Sequence, residues 1–214
     1  MKRLPLIVLP VFALVGLLAA GALWRLGDLR QQSATVTTVT EDASQPAEPV
    51  EFGGPFSLTD QNGMRRTDMD FRGKYMLIFF GYTHCPDVCP TTLAVEAEAL
   101  GKIGERANQI VPILVSVDPK RDTPERLKAY MSAFGPSFVG LTGTDEEIEK
   151  AADAYEVYYR AHLDGRFGGA EDYSVDHTGN VYLMSPEGKF VAYYSPGIRP
   201  DELAADLMMK IPPG

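Results

Sequence analysis

The hydrophobic positions of the chain fall into continuous apolar runs and into runs with helical spacing. Two continuous runs, at 75–80 and 110–117, are typical of strands that are buried on both faces of a sheet. At 90–106 and 145–155, apolar residues recur every three or four positions, which predicts helices that bury one face. Strands that alternate with helices in this way predict an α/β domain.

Signals at the ends of segments extend this pattern. Asn62-Gly63 is typical of a hairpin turn, and Thr123-Pro124 is typical of a helix cap followed by a first helical turn. The chain closes with a predicted hairpin and a helix. The remaining predicted elements are a short strand at 56–61, a strand at 138–142, the hairpin strands at 180–184 and 190–194, and the last helix at 200–210. This order predicts a thioredoxin-like α/β fold, with a central mixed sheet flanked by helices.

One segment departs from these patterns. Residues 161–174 contain three glycines and charges of both signs. The segment is predicted to form a surface loop.

The first apolar run is long enough to cross a bilayer. Residues 4–24 contain no charge, and a helix of this length reaches about 31 Å, which matches the hydrocarbon core. Lys2 and Arg3 precede the run, so the positive-inside rule predicts a cytoplasmic N-terminus and an exported domain. The small residues at 20–22 also resemble a signal-peptide cleavage site. We therefore expect 1–25 to be a membrane anchor or a signal.

A polar segment separates this run from the predicted domain. Residues 26–52 are rich in Ser, Thr, Gln, Ala and Pro and have no periodicity, which is typical of a flexible linker. We expect 53–214 to form the folded domain. The chain has 20 basic and 29 acidic residues and a net charge of −9. Such a surface repels nucleic acid, so nucleic-acid binding is not expected.

The two cysteines of the chain carry its most informative chemistry. Cys85 and Cys89 are separated by three residues and lie between the predicted strand at 75–80 and the helix that follows. A structural disulfide is the common fate of cysteines after export, but a bridge across four residues closes too short a loop to stabilise much. Pro86 and Pro90 favour extended backbone at both cysteines. With Cys89 near the helix N-terminus, its pKa is expected to be depressed.

Two thiolates are suited to Cu(I) or Zn(II), and one of three histidines is expected to complete the site. His177 precedes the strand at 180–184, and in a thioredoxin-like fold the loop entering that strand packs against the redox loop. A histidine that merely satisfies a turn is the alternative interpretation. His84 is adjacent to Cys85, so its side chain tends to point away from the sulfur, and His162 lies in the predicted surface loop.

Three segments together resemble the Sco/SenC family of copper proteins. They are 81–91 with Cys85 and Cys89, 116–124 with Asp118, and 175–183 with His177, and they occur in the family's order. The resemblance implies that Cys85, Cys89 and His177 are the copper ligands. It also implies an acidic residue near the site at Asp118, which either supports a ligand or binds Cu(II). A turn residue before Pro119 is the alternative role for Asp118.

The resemblance implies a copper metallochaperone, not a high-turnover enzyme. Its copper, Cu(I) or Cu(II), would go to the dinuclear site of cytochrome c oxidase subunit II, and Cys85 and Cys89 would also form a redox disulfide. Other periplasmic copper chaperones or thiol reductants are further expected partners. The expected location is the bacterial inner membrane, with a single pass and the domain in the periplasm.

Two other functions stay open. An exported thiol-disulfide oxidoreductase without metal would use the same cysteine pair. A peroxidase of the peroxiredoxin kind is suggested by the sequence 88–91. That family has a threonine where Cys85 stands and a proline where Gly81 stands, which disfavours it.

Overall fold

The apolar runs of the sequence form the centre of a mixed sheet. A computed structural model of the protein describes residues 52–163 and 173–213. Its strands are β1 (Ser57–Asp60), β2 (Arg65–Thr67), β3 (Tyr75–Gly81), β4 (Ile110–Ser116), β5 (Val139–Thr142), β6 (Tyr159–Leu163), β7 (Tyr173–His177), β8 (Val181–Met184) and β9 (Phe190–Tyr194). Its helices are α1 (Val88–Ile103), α2 (Pro124–Met131), α3 (Asp145–Ala154) and α4 (Pro200–Lys210), with short 3-10 turns at Asp68–Phe71 and Gly104–Gln109.

Seven of the strands form one sheet in the order β2-β1-β5-β4-β3-β8-β9. β3, β4 and β5 are parallel, whereas β8 and β9 continue the sheet in antiparallel pairs and β1 and β2 close its other edge. A central mixed sheet with flanking helices confirms the predicted α/β architecture and is consistent with a thioredoxin-like fold.

The register of the two central strands determines which loops are neighbours. β3 and β4 pair from Tyr75 with Ile110 to Gly81 with Ser116, and almost all their side chains are buried. Because both strands end at the same edge of the sheet, the loop that carries Cys85 lies beside the loop that carries Asp118.

The prediction of a surface loop at 161–174 is wrong at both ends of the segment. Residues 161–163 belong to β6 and residues 173–174 belong to β7, and these strands form a separate antiparallel pair. Tyr159 pairs with His177 at one end and Leu163 with Tyr173 at the other. Both strands alternate apolar and polar residues, as YRAHL and YSVDH, but each has only five residues, and the three glycines between them favoured a loop.

The predicted segment 1–25 and residues 26–51 of the predicted linker at 26–52 lie outside the described residues. Within 52–163 and 173–213, no helix is both long and apolar enough to span a membrane. The buried core of the described part extends from Phe56 to Ile211.

Candidate metal centre

The two cysteines lie in the loop and first helical turn that follow β3. β3 ends at Gly81 and α1 begins at Val88, so Cys85 is in the connecting loop and Cys89 is the second residue of the helix. The expectation of extended backbone is therefore wrong for Cys89. Pro90 is tolerated after it because amide groups in a first helical turn have no carbonyl partner within the helix.

Gly81 leaves room for the buried sulfur. A Cβ atom at this position would lie 2.9 Å from Cys89 Sγ and 2.8 Å from the ring of Phe79. Cys89 is fully buried, whereas Cys85 is partly exposed. The sheet edge thus seats one sulfur in the core and leaves the other within reach of solvent.

His177, the last residue of β7, brings its imidazole to the cysteines. Its Nε2 lies 3.5 Å from Cys89 Sγ, and its Nδ1 lies 3.1 Å from the carbonyl oxygen of Thr178. A carbonyl oxygen only accepts hydrogen bonds, so Nδ1 is the donor in this contact, and Nε2 is the ring nitrogen that faces the sulfurs. The rings of Phe79 and Tyr82 meet the imidazole edge-on, with centroids 5.7 and 6.0 Å away.

The two thiols have opposite pKa shifts, and the thiolate is favoured at Cys85. A hydrogen bond from Cys89 lowers the pKa of Cys85 to about 3, and His177 and the amides of Asp87 and Cys89 act in the same direction. The backbone nitrogen of Cys89 lies 3.4 Å from Cys85 Sγ. Two causes raise the pKa of Cys89: the larger is its hydrogen bond to Cys85, and the second is burial. The expectation of a depressed pKa at Cys89 is therefore wrong, because the helix N-terminus points its amide at the other sulfur.

Cys85, Cys89 and His177 form one of two groups in the described part of the chain that could hold a metal ion. Their potential ligand atoms all lie within 4.8 Å of one another. Two thiolate sulfurs are soft donors that suit Cu(I), and an imidazole nitrogen also binds copper. A closed structural zinc site normally needs four protein ligands, and this group offers three among the described residues. The donor set therefore fits copper.

The second group consists of His84, Asp118 and Asp122. Asp118 and Asp122 are buried, and neighbouring side chains already donate hydrogen bonds to both carboxylates. The structure thus gives Asp118 a set of protein partners, and neither Asp118 nor His84 belongs to the group that contains the cysteines. A role for Asp118 beside the metal stays a prediction.

His162 lies on β6, on an exposed face of the strand pair. Its Nε2 is 2.8 Å from Ser174 Oγ, and its Nδ1 is 3.5 Å from Asp176. It belongs to neither metal group among the described residues. Its side chain is exposed, as expected for a residue of a predicted surface segment.

The sequence analysis missed several residues that connect the cysteine loop, the loop after β4 and β7. Arg121 and Asp122 lie inside the segment 116–124 that carries the family resemblance, but the pattern alone gives them no role. Tyr173 lay in the predicted surface loop and gave no signal. Their contacts depend on the pairing of distant segments, which local patterns do not contain.

Comparisons with known proteins agree on one family. The model of the SCO1/SenC family matches residues 44–211. The human protein SCO1 homolog, mitochondrial, is 44% identical over 164 residues, which cover 76% of this chain and 54% of that protein. The chain thus spans about half the length of that relative.

Solved structures give the same result. ScoI of Bradyrhizobium japonicum with copper bound is 47% identical, with a TM-score of 0.67, over 74% of this chain and 98% of that one. ScoI of Arabidopsis thaliana with copper bound is 41% identical, with a TM-score of 0.69, over 74% of this chain and 97% of that one.

Proposed function

The chain belongs to the SCO1/SenC family, and from this premise we propose that it is a copper metallochaperone for cytochrome c oxidase assembly. Cys85, Cys89 and His177 bind one copper ion as cargo and deliver it to the dinuclear copper site of subunit II. The observation that carries the proposal is the convergence of these three donors within 4.8 Å, although 88 residues separate Cys89 from His177. Copper in two solved relatives at 47% and 41% identity supports this choice of metal.

The exposure of the donors suits delivery. Cys85 and His177 are only partly buried, and Cys89 lies beneath them. A thiolate from a partner can approach the metal from the side of Cys85 and replace the ligands one at a time. Three-coordinate Cu(I) favours such exchange, because it has room for a further soft donor.

The N-terminal segments define where delivery takes place. Residues 1–25 anchor the chain in the bacterial inner membrane or act as an export signal, and 26–52 link them to the domain at 53–214 in the periplasm. The length of the apolar run and the positive charges of Lys2 and Arg3 support this topology.

Copper titration of the reduced protein tests the ligand set. Wild type is expected to bind one Cu(I) per chain in competition with a chromogenic chelator. His177→Ala and Cys85→Ser each remove a ligand, so we expect affinity to fall by more than about 100-fold. His162→Ala is the matched control, because His162 lies on the neighbouring strand but is exposed, and it should bind as wild type. Affinity that is indifferent to His177→Ala would rule out this ligand set.

Thiol reduction of the partner's cysteines is the second candidate. It is favoured by the asymmetry of the pair, with Cys85 accessible and ionised and Cys89 buried and protonated. Such a thiolate attacks a disulfide, and the buried thiol then resolves the mixed disulfide. Disulfide reduction in the absence of copper separates the two functions. Reduction that survives His177→Ala, together with weak copper binding by wild type, would favour the reductase.

A further inference from the structure

The loop that joins β4 to α2 carries two buried carboxylates that accept hydrogen bonds from different segments. Asp118 is 3% exposed and Asp122 is fully buried. The loop follows β4 at the edge of the sheet where β3 ends. It therefore lies beside the cysteine loop and also reaches β7.

Asp122 holds the cysteine loop. Its carboxylate accepts hydrogen bonds from the backbone nitrogen and the hydroxyl of Thr83, at 2.9 and 2.6 Å. The hydroxyl of Ser116, at the end of β4, donates to the same carboxylate at 2.6 Å. Thr83 lies two residues before Cys85, so these bonds tie the cysteine loop to the end of β4.

Asp118 holds β7 through Tyr173 and Arg121. The Tyr173 hydroxyl and Arg121 Nε each donate to one oxygen of Asp118, both at 2.5 Å. Arg121 also donates to the carbonyl oxygen of Tyr173 at 3.0 Å, and its guanidinium lies 3.6 Å from the centre of the tyrosine ring. Charge-assisted bonds and a stacked cation together make this a strong attachment.

β7 depends on such side-chain bonds. Among the described residues it pairs only with β6, in a two-stranded sheet separate from the central one, and an isolated strand pair is marginally stable. A second bond runs from the backbone nitrogen of Val175 to the hydroxyl of Tyr82, at 3.3 Å. Tyr173 is at one end of β7 and His177 is at the other.

We propose that Tyr173 is a positioning residue for His177, and that the loop 117–123 sets the spacing between the two halves of the metal centre. Asp122 fixes the loop that carries Cys85 through its bonds to Thr83. Asp118 and Arg121 fix β7, which carries His177, through their bonds to Tyr173. The inference rests on the proposed function, because it assigns Tyr173 a role in copper binding through the ligand His177.

A double-mutant cycle with Tyr173→Phe and His177→Ala tests this inference. Tyr173→Phe keeps the ring over Arg121 and removes only the hydroxyl bond to Asp118. In the chain with His177 present, we expect Cu(I) affinity to fall about tenfold, the lower end of the ~10–100-fold loss caused by removing a residue that supports a metal ligand. In the His177→Ala background, Tyr173→Phe should cause no further loss. Equal losses in both backgrounds, or no loss with His177 present, would overturn the proposal.

The metal-free protein provides a second readout. Tyr173→Phe should speed amide hydrogen exchange at Val175, because β7 loses one of its attachments. Unchanged exchange would contradict the positioning role even if copper affinity fell. If His177→Ala leaves copper affinity unchanged, the proposed ligand set fails, and the exchange measurement alone decides whether Tyr173 holds β7.

Tyr194→Phe is the matched control. The Tyr194 hydroxyl donates to Asp206 at 2.8 Å, which is also a tyrosine–carboxylate bond, but it joins β9 to α4. Its loss should affect stability and leave both copper affinity and exchange at Val175 unchanged. A fall in copper affinity equal to that of Tyr173→Phe would indicate a general stability effect and overturn the specific role.

Discussion

At the scale of single residues, Glu96 is a buried carboxyl group that the proposed metal chemistry does not use. It lies on α1 and is fully buried, and neither carboxylate oxygen has a hydrogen-bond partner among the described residues. It borders a cavity of about 30 Å³ that is also lined by Thr92, Gly179 and Ser195. Burial raises the pKa of Glu96 well above its ordinary value, since an isolated charge in the core is costly.

This burial predicts a loss of stability as pH rises. In the unfolded chain Glu96 ionises near its ordinary pKa of about 4.3, whereas the folded state keeps the proton to higher pH. The unfolded state therefore binds fewer protons above that value, and the free energy of unfolding falls by about 1.4 kcal/mol per pH unit until the raised pKa is reached. Urea denaturation between pH 5 and 8 measures this slope.

Glu96→Gln should remove this contribution and flatten the profile. Glu98→Gln is the matched control, because Glu98 is exposed on the same helix and pairs with Lys102. It should leave the slope nearly unchanged. A profile for Glu96→Gln that is parallel to wild type would show that Glu96 is not the group responsible.

At the scale of elements, capping signals and apolar spacing agree on where the helices begin. Thr123 accepts a hydrogen bond from the backbone nitrogen of Arg126 at the start of α2, as predicted. α3 begins with a capping box, in which Thr144 accepts from the nitrogen of Glu147 and the Glu147 carboxylate accepts from the nitrogen of Thr144. Both hydrogen bonds join Thr144 and Glu147, which are three positions apart, so the local sequence is sufficient to specify this cap.

Loss of the α3 cap should destabilise the fold without changing the metal centre. Thr144→Ala leaves a first-turn amide without its partner, so we expect the free energy of unfolding to fall by about 1 kcal/mol. Thr144→Ser keeps the hydroxyl and should retain most of the stability. Chemical denaturation measures both, and copper titration should give wild-type affinity for each. A change in copper affinity would contradict the independence of α3 from the site.

At the scale of the whole molecule, the core and the candidate metal centre belong to one part of the chain. Residues 49–214 form one compact unit, and the three donors and the buried core of the described residues lie within it. The acidic balance of the chain also belongs to this part, because residues 1–48 contain four basic and four acidic residues, whereas 49–214 contain 16 basic and 25 acidic residues. We therefore expect the N-terminal segments to govern location and the domain to govern chemistry.

A truncated chain of residues 49–214 should fold and bind copper as the full chain does. Circular dichroism and thermal unfolding would measure its structure, and copper titration its affinity, against the full chain in detergent. Equal affinity is expected because no donor is removed. Weaker binding by the truncated chain would show that residues before 49 contribute to the site, contrary to the proposed domain boundaries.

The sequence predicted most of the sheet but not the strand pair that carries the histidine. The runs at 75–80 and 110–117 are apolar without interruption, so burial on both faces is their only favourable state. β6 and β7 alternate apolar and polar residues, as YRAHL and YSVDH, but the glycines between them favoured a loop. Val175 is buried, and its backbone nitrogen donates to the Tyr82 hydroxyl, a contact between distant segments that leaves no local pattern.

By itself, the sequence predicted the α/β order, the cap of α2 and the cysteine loop, which depend on local spacing and on residue type. Its resemblance to the Sco/SenC family implied the three residues proposed to bind copper. The tertiary structure alone decided that Cys85 is the thiolate, that Glu96 is buried without a partner, and that Tyr173 reaches Asp118. Each depends on distances between segments far apart in the chain. Burial and hydrogen bonding at those contacts set the energies, and neither is encoded in any single segment.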